Sequence, residues 1–579
     1  MTSSMSTGNT SGLPSREEIA QREIGRTDIS AGLAWLLIVA FLLTIALPPT
    51  VQLAYDVGVD NTRRAPACLQ LLYTLPEVTD VFRQTAGGVW NRLTAANRRL
   101  LRNVEDYERQ LEDRSLLTRR LLGRTQYALT EWSGLGNEQV YIGRGGWLFY
   151  RPDVDALTGP GFLVPAVLER RARGGQAHAA PPAPDPRPAI IEFHEQLARR
   201  GISLVLLPTP GKAAIHPETL SSRFDRGGAP LANASFEQFQ RDVAAAGVLL
   251  FDSAPLLAEQ SKSPSAPRLF LQTDTHWTPT AMEFVAARLK TYLDEHCPLP
   301  ARPSAAFVER RLEIENRGDV AGMLRLPESQ TLFPHEAVSI RQITGSDGEE
   351  WAPDESADVL LLGDSYTNIY SLPEMKWGAT AGLAEQLSFV LQRPVDRLAQ
   401  NDGGSLAVRQ ALNHELARGR DRLAGKRIVI WQFAVRELAL GDWRVLPLPE
   451  HVSPGDRAPH GTPEIAAGEI RIQGIVRAAA GAPNPGSVPY RDAVTAVHLD
   501  TVEAVDGELP NREIVVYLWG LQDNRLTNGA RFAPGQRVSL RVVPWEVVRD
   551  KYERFNRIEL DDPDFRLVEL PAYWAEEVP

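Results

Sequence analysis

Cysteine is nearly absent from this chain of 579 residues: Cys68 and Cys297 are the only two. They lack the short spacings that a structural zinc site or a redox Cys-x-x-Cys needs, so metal binding through thiolates is excluded. In an oxidising compartment the pair can close one disulfide, and two free buried thiols fit the sequence equally well. An excess of positive charge is absent too. There are 73 acidic against 62 basic residues, for a formal charge of -11. No long basic block or basic aromatic cluster interrupts that background, so the chain has no electrostatic footprint for nucleic acid.

Core-forming material is not lacking. Hydrophobic residues make up 43% and charged residues 23%, ordinary values for a folded protein. The length calls for two or three domains with connecting segments.

The first thirty residues are polar and read as an exposed tail, residues 1–30. AGLAWLLIVAFLLTIAL follows, Ala31 to Leu47, uncharged and closed by Pro48 and Pro49. Its length sits at the lower edge of the roughly 17 to 25 residues that span hydrocarbon. A secretory signal has an apolar stretch of roughly 7 to 15 residues, starts nearer the N-terminus and ends in a small-residue cleavage site. An uncleaved signal anchor over 31–50 therefore fits best, with a cleaved signal and a buried core helix as alternatives. Arg16, Arg22 and Arg26 precede the run, and Arg63 and Arg64 lie well beyond it. The positive-inside tendency then puts the tail in the cytoplasm and everything after residue 50 outside the inner membrane, in a bacterium the periplasm.

Residues 51–135 are expected to form a helical stalk. Leu93, Leu100 and Tyr107 are spaced seven apart in a charged, proline-free stretch, the pattern of a helical stripe. A packed helix accounts for it more simply than a coiled-coil partner site. From 136 to 450, apolar runs such as ISLVLLPTP, GVLLFDS, ADVLLLGDS and KRIVIWQF alternate with helical patterns. That alternation predicts an α/β domain, a parallel sheet covered by helices on both faces. The Pro- and Ala-rich stretch around 171–188 reads as a surface loop. After a second composition shift at 451–468, residues 460–579 become strand-like, predicting a small β domain, barrel or sandwich.

Two stretches carry candidate chemistry. In ADVLLLGDSYTN, Ser365 follows an apolar run at the carboxyl end of an expected strand, where reactive groups gather in open α/β sheets. A Gly-Asp-Ser tripeptide alone fits a turn or helix cap at least as well. In LQTDTHWTP, Asp274 and His276 stand two apart just before the helix-start signal Thr278-Pro279. A lone loop histidine is usually structural, but a neighbouring carboxylate can fix its tautomer and stabilise the imidazolium.

TDTHW followed downstream by GDSYTN resembles the alginate O-acetyltransferase group of SGNH-hydrolase-like proteins, in which the Asp/His motif precedes the serine motif. YIGRGGWLFY, LLPTPGKAAIHPE, NDGGS and WQFAVREL match it too, so the resemblance runs over roughly residues 136–440. It implies Ser365 as nucleophile, His276 as general base and Asp274 as its orienting carboxylate. Gly403 and Gly404 become candidates for an oxyanion-stabilising turn, beside the reading of an ordinary glycine turn. Lys212 and Arg436 become candidates for holding an anionic sugar, beside the reading of solvated surface charges. Trp277 is expected to pack on the catalytic loop and Glu437 to anchor a positive group.

The implied activity is transfer of acetyl groups to a polysaccharide, with no metal or cofactor required. The acetyl group would be supplied across the inner membrane by a multi-pass membrane acyltransferase partner. A glycan acetylesterase and a non-catalytic glycan-binding or scaffold subunit are the competing functions. The β domain is expected either to bind glycan or a partner, or to cap the catalytic domain.

Overall fold

The computed structural model describes residues 30–58, 70–84, 88–174, 182–263, 265–401, 403–449 and 469–577, apart from 484–487, 489, 491, 508, 510, 533, 553–554, 561, 563–566 and 568–569. The polar tail, Cys68 and the shift at 451–468 lie outside these residues, as does the question of a Cys68–Cys297 bridge. The chain divides into two compact units, Met1–Leu122 and Gly123–Pro579.

In the first unit the apolar run forms the helix Ala31–Gly58, with a mean hydropathy of 2.4 over its most apolar window. It is long and apolar enough to cross a membrane. Pro48 and Pro49, which follow the apolar run, lie inside this helix. They remove the amide hydrogens that would bond the carbonyls of Thr44 and Ile45. The helix nevertheless runs on for another two turns, and Thr50 Oγ1 donates to the carbonyl oxygens of Ala46 and Leu47 at 2.8 and 2.9 Å. Further along, the helices Leu75–Gln84 and Val89–Arg114 pack together. Ala96, Leu100, Val104 and Tyr107 are shielded while Leu93 is exposed.

The second unit opens with an antiparallel hairpin, β1 (Val140–Ile142) and β2 (Leu148–Tyr150). Next come β3 (Ser203–Thr209) and β4 (Leu249–Leu250), then a two-stranded antiparallel arm of β5 (Val308–Asn316) and β6 (Glu336–Thr344). The chain returns through β7 (Val359–Gly363), β8 (Asp396–Ala399) and β9 (Ile428–Ala434). These build one sheet in the order β4-β3-β9-β7-β8 with every pairing parallel.

Alternate residues of these strands enter two different cores, as the two-residue period of a strand requires. Val205, Leu207, Val359, Leu361, Ile428 and Ile430 join one core with the helices Pro279–His296 and Leu383–Leu391. Leu204, Leu206, Leu360, Leu362, Val429 and Trp431 join the other, with the helices Pro186–Arg199, Phe236–Ala245 and Gly404–Ala417. Burial on both faces is why these segments read as unbroken apolar runs. Their carboxyl ends converge on one rim, where Gln432 accepts from the Asp364 amide and the Thr367 hydroxyl and donates to Thr209.

The C-terminal strands are β10 (Ile470–Ala479), β11 (Ala493–Ala504), β12 (Ile514–Gln522), β13 (Arg525–Leu526), β14 (Arg537–Pro544), β15 (Asn556–Ile558) and β16 (Ala572–Glu577). The pairings β12–β16, β16–β14, β14–β10, β10–β11 and β11–β12 close a ring, so the domain is a barrel. Ile472, Val476, Val497, Leu499, Leu540 and Val542 fill it. Tyr517, Trp545, Tyr552 and Trp574 form a second cluster, with Tyr552 stacked on Trp574 at 3.6 Å. That cluster includes the helix Trp545–Tyr552, which the strand-like pattern hid.

Candidate active site

Ser365 opens the helical turn Ser365–Asn368 at the carboxyl end of β7. Its neighbour Asp364 caps that turn by accepting the Tyr366 amide at 2.8 Å, and it accepts the Ala434 amide of β9 at 2.7 Å. The aspartate of the Gly-Asp-Ser tripeptide thus ties two strand ends together. Gly363 is needed for space: a Cβ there would overlap the Thr367 side chain. As the first residue of a helical turn, Ser365 has no intrahelical acceptor for its amide.

The Asp/His segment folds back on itself through the bridge between Phe270 and Trp277. Thr278 then caps the helix Pro279–His296 through the Ala281 amide. This fold turns His276 towards Ser365. His276 Nε2 lies 2.8 Å from Ser365 Oγ, and its Nδ1 lies 2.6 Å from Asp274 Oδ1. A carboxylate only accepts, so the Nδ1–H donates to Asp274 and Nε2 presents its lone pair to the serine hydroxyl. All three side chains are buried, Ser365 being 5% exposed.

The environment holds these charge states. Burial opposes ionisation of Asp274, but His276, the Asp319 amide and the Trp377 indole N–H bring its carboxyl below the usual range. Burial likewise opposes the imidazolium, yet Asp274, Asp319 and Asp364 raise His276 above its ordinary value. Asp319 Oδ2 lies 4.0 Å from His276 Nδ1. Asp319 also accepts from the Thr275 amide and hydroxyl at 2.7 and 2.9 Å. Burial, with the Asp274 charge, pushes the Asp319 carboxyl up. Tyr366 packs its ring 4.7 Å from that of His276 and donates to the Thr275 carbonyl.

Asp274, His276 and Asp319 are close enough together for a cation. Their ligand atoms are already engaged: Asp274 Oδ2 accepts from Asp319 N and Trp377 Nε1, and both imidazole nitrogens have partners. A metal would have to displace those bonds.

Gly403 and Gly404 have φ of +76° and +61°, the left-handed region that glycine occupies without strain. Gly403 caps the helix Gly404–Ala417. A Cβ on Gly404 would collide with the Glu437 carboxylate, which also accepts the Ser405 amide at 3.4 Å. The residues ahead of the glycines bond to those flanking the serine: Gln400 N donates to the Gly363 carbonyl at 3.0 Å, and Asn368 Nδ2 to Asn401 Oδ1 at 2.7 Å.

The reading of Lys212 and Arg436 as solvated charges is corrected. Lys212 is 2% exposed. Its Nζ donates to the carbonyls of Leu148 and Gln272 at 2.6 and 3.2 Å, pinning β2 to the His276 segment. Burial lowers its amine to about 8 against the pull of Asp274, Glu336, Asp319 and Asp153. Arg436 donates to Asp153 at 2.9 Å, with its guanidinium 5.4 Å from the Tyr150 ring. The cavity beside it measures about 20 Å³, room for a water but not for a sugar. Trp277 is fully buried, edge-on to Tyr366 at 5.5 Å.

Asp319, Trp377, Glu336, Asn368 and Asn401 were not singled out from the sequence. Glu336 accepts the amides of Gln272 and Thr273 and the Thr273 hydroxyl, each at 2.9 Å. Asn368 ends the GDSYTN motif and Asn401 begins NDGGS, whereas Asp319, Trp377 and Glu336 lie in no such stretch and at no telling spacing from Ser365 or His276.

The family described as "SGNH hydrolase-like domain, acetyltransferase AlgX" matches residues 140–435. A probable alginate O-acetylase AlgJ of Azotobacter vinelandii is 26% identical over 329 residues, 55% of this chain and 75% of that protein. The corresponding protein of Pseudomonas syringae pv. tomato is 26% identical over 311 residues, 52% of this chain and 70% of its own. Among solved structures, the O-acetyltransferase domain of Pseudomonas putida AlgJ is 24% identical, covering 52% of this chain and 93% of that domain with a TM-score of 0.39.

Proposed function

The chain belongs to the family of the SGNH hydrolase-like domain of acetyltransferase AlgX, and from that membership we propose that Ser365, His276 and Asp274 move an acetyl group onto a hydroxyl of an extracellular polysaccharide of the alginate kind. The observation that carries the reading is the hydrogen-bonded line from Ser365 Oγ through His276 to Asp274, 2.8 and 2.6 Å long.

In the first half-reaction the Ser365 hydroxyl proton passes to His276 Nε2 as Oγ bonds to the acetyl carbonyl carbon. The tetrahedral adduct collapses, and the donor's leaving group departs with the proton from Nε2. In the second half, a glycan hydroxyl gives its proton to Nε2 and attacks the acetyl-serine. The bond to Oγ then breaks and Ser365 recovers a proton. Asp274 keeps the imidazole in the tautomer that exposes Nε2 and stabilises the imidazolium in both halves. The negative oxygen of each adduct is received by the Ser365 amide and the turn at Gly403 and Gly404.

The helix Ala31–Gly58 anchors the chain as a single membrane pass, with the catalytic unit on the periplasmic side and the helices that follow as a stalk. The single such helix among the described residues offers no route for an acetyl group through a bilayer, so a multi-pass membrane acyltransferase supplies the donor.

Ser365→Ala tests the chemistry. With an activated acetyl ester and oligosaccharide acceptors, the variant is expected to lose roughly 10³-fold or more of its turnover and to accumulate no acetyl-enzyme. Near-normal turnover removes Ser365 as nucleophile. Free acetate as the only product with every acceptor makes the protein an esterase instead.

A further inference from the structure

Asn401 stands between the two halves of the second unit. Its side-chain oxygen accepts from Asn368, in the turn that Ser365 opens, and its backbone N–H donates to Asn556 Oδ1 at 2.9 Å. Asn556 begins β15, which runs parallel to β11, and so belongs to the C-terminal barrel. It is 7% exposed, and its Nδ2 donates to the Tyr490 hydroxyl at 2.9 Å. An unbroken chain of hydrogen bonds therefore connects the helical turn of Ser365 with a strand of the barrel.

The barrel also holds the far end of the helix that starts at Gly404. Arg418, at its C-terminus, donates to the Tyr517 hydroxyl of β12 at 3.1 Å. Tyr517 in turn donates to Glu559 Oε2 at 3.0 Å, and Arg557 grips the other oxygen. The barrel thus bonds Asn401, just ahead of this helix, and Arg418 at its C-terminal end.

The turn needs such a tie. Two consecutive glycines at positive φ are the most freely rotating residues the chain could put there. The Asn401 N–H would be left unpaired and part-buried without Asn556, and an unmade hydrogen bond of that kind is costly.

We infer that the C-terminal barrel is a structural part of the acyl-transfer site, and that Asn556 is a positioning residue that holds Asn401, just ahead of the glycines at 403 and 404, against the Ser365 helix. This rests on the reading of Ser365 as nucleophile. Asn556 touches no reacting atom; it fixes Asn401, ahead of the glycines to which the proposed function gives the oxyanion. Displacements of about an ångström at such a position cost up to roughly a hundredfold in rate.

The test uses the full chain with p-nitrophenyl acetate, whose binding owes nothing to a glycan site. Asn556→Ala is expected to lower kcat at least about tenfold while KM stays within roughly twofold. Asn556→Asp keeps the acceptor for the Asn401 amide and is expected to restore most of kcat. Unchanged kcat in Asn556→Ala, a change in KM alone, or failure of Asn556→Asp to recover the rate overturns the inference. Where Asn556→Ala does not fold, Tyr490→Phe removes the hydroxyl that accepts from Asn556 Nδ2 and leaves Asn556 in place. A two- to threefold fall in kcat is then expected, and an unchanged kcat overturns the inference. Ser365→Ala in the same assay keeps the two claims apart: a dead Ser365→Ala beside a fully active Asn556→Ala refutes the barrel's role and leaves the nucleophile standing.

Discussion

Two segments meet at Ser365, and they are held in opposite ways. The segment with Asp274 and His276 is gripped by charge: Glu336 takes three of its donors, Asp319 two, and Lys212 reaches one of its carbonyls. Asn401, ahead of the glycines, is held by neutral amides, Asn368 on one side and Asn556 on the other. The difference follows from the charges the chemistry creates. Positive charge appears on the imidazole, where carboxylates are stabilising; negative charge appears on the acetyl oxygen, where a carboxylate would repel it. Glu437 is the exception beside the glycines. Burial pushes its carboxyl up, and Asp364 and Asp153 add to that against Arg436.

The largest break in this comparison comes from neutralising the charge-held side. Asp274→Asn keeps the shape and the acceptor for Trp377 but presents an amide to the imidazole, which favours the tautomer with its proton on Nε2. Turnover of an activated ester is expected to fall roughly 10³- to 10⁴-fold. A loss below about tenfold would mean that charge is not what makes the His276 side work.

Gly404→Ala sharpens the comparison from the other side. A methyl at φ +61° is strained and collides with the Glu437 carboxylate, so the turn must shift. A fall in kcat of roughly ten- to a hundredfold is expected. The groups around His276 are untouched, so the acid limb of the pH–rate profile should stay in place. A displaced limb would show that the two segments are one electrostatic unit.

What the sequence disclosed of this site was what lies close along the chain. Val359 to Gly363 is apolar because both faces of β7 are buried, and Ser365 follows directly. Asp274 and His276 stand two apart in one loop, and the structure brings that pair to Ser365. The supporting side chains come from afar: the bond from Asp319 to Asp274 spans 45 positions, that from Trp377 spans 103, and that from Asn401 to Asn556 spans 155. Only the folded sheet and barrel bring these together, and a lone Asp in RGDVAG or an Asn beside a short strand carries no local mark. The burial of Lys212 and Arg436 is hidden from the sequence for a related reason. A lysine is solvated by default, and nothing around PTPGKAA announces two carbonyls waiting to receive its ammonium.

The smallest effect is the most diagnostic, because it separates charge from contact within the charge-held side. Asp319→Asn keeps an oxygen for the Thr275 amide but removes one of the negative charges facing His276, leaving those of Asp274 and Asp364. His276 acts as a base only when neutral, so activity rises with pH through its pKa, which the three carboxylates hold above the ordinary value. Removing one lowers that pKa, and the acid limb of kcat/KM is expected to move to lower pH by roughly one unit or less. Plateau kcat should fall only a few-fold, because Asp274 still orients the ring. An unmoved limb with a large fall in kcat would assign Asp319 to packing of the 273–277 segment, and the charge-held side would then depend on Asp274 alone.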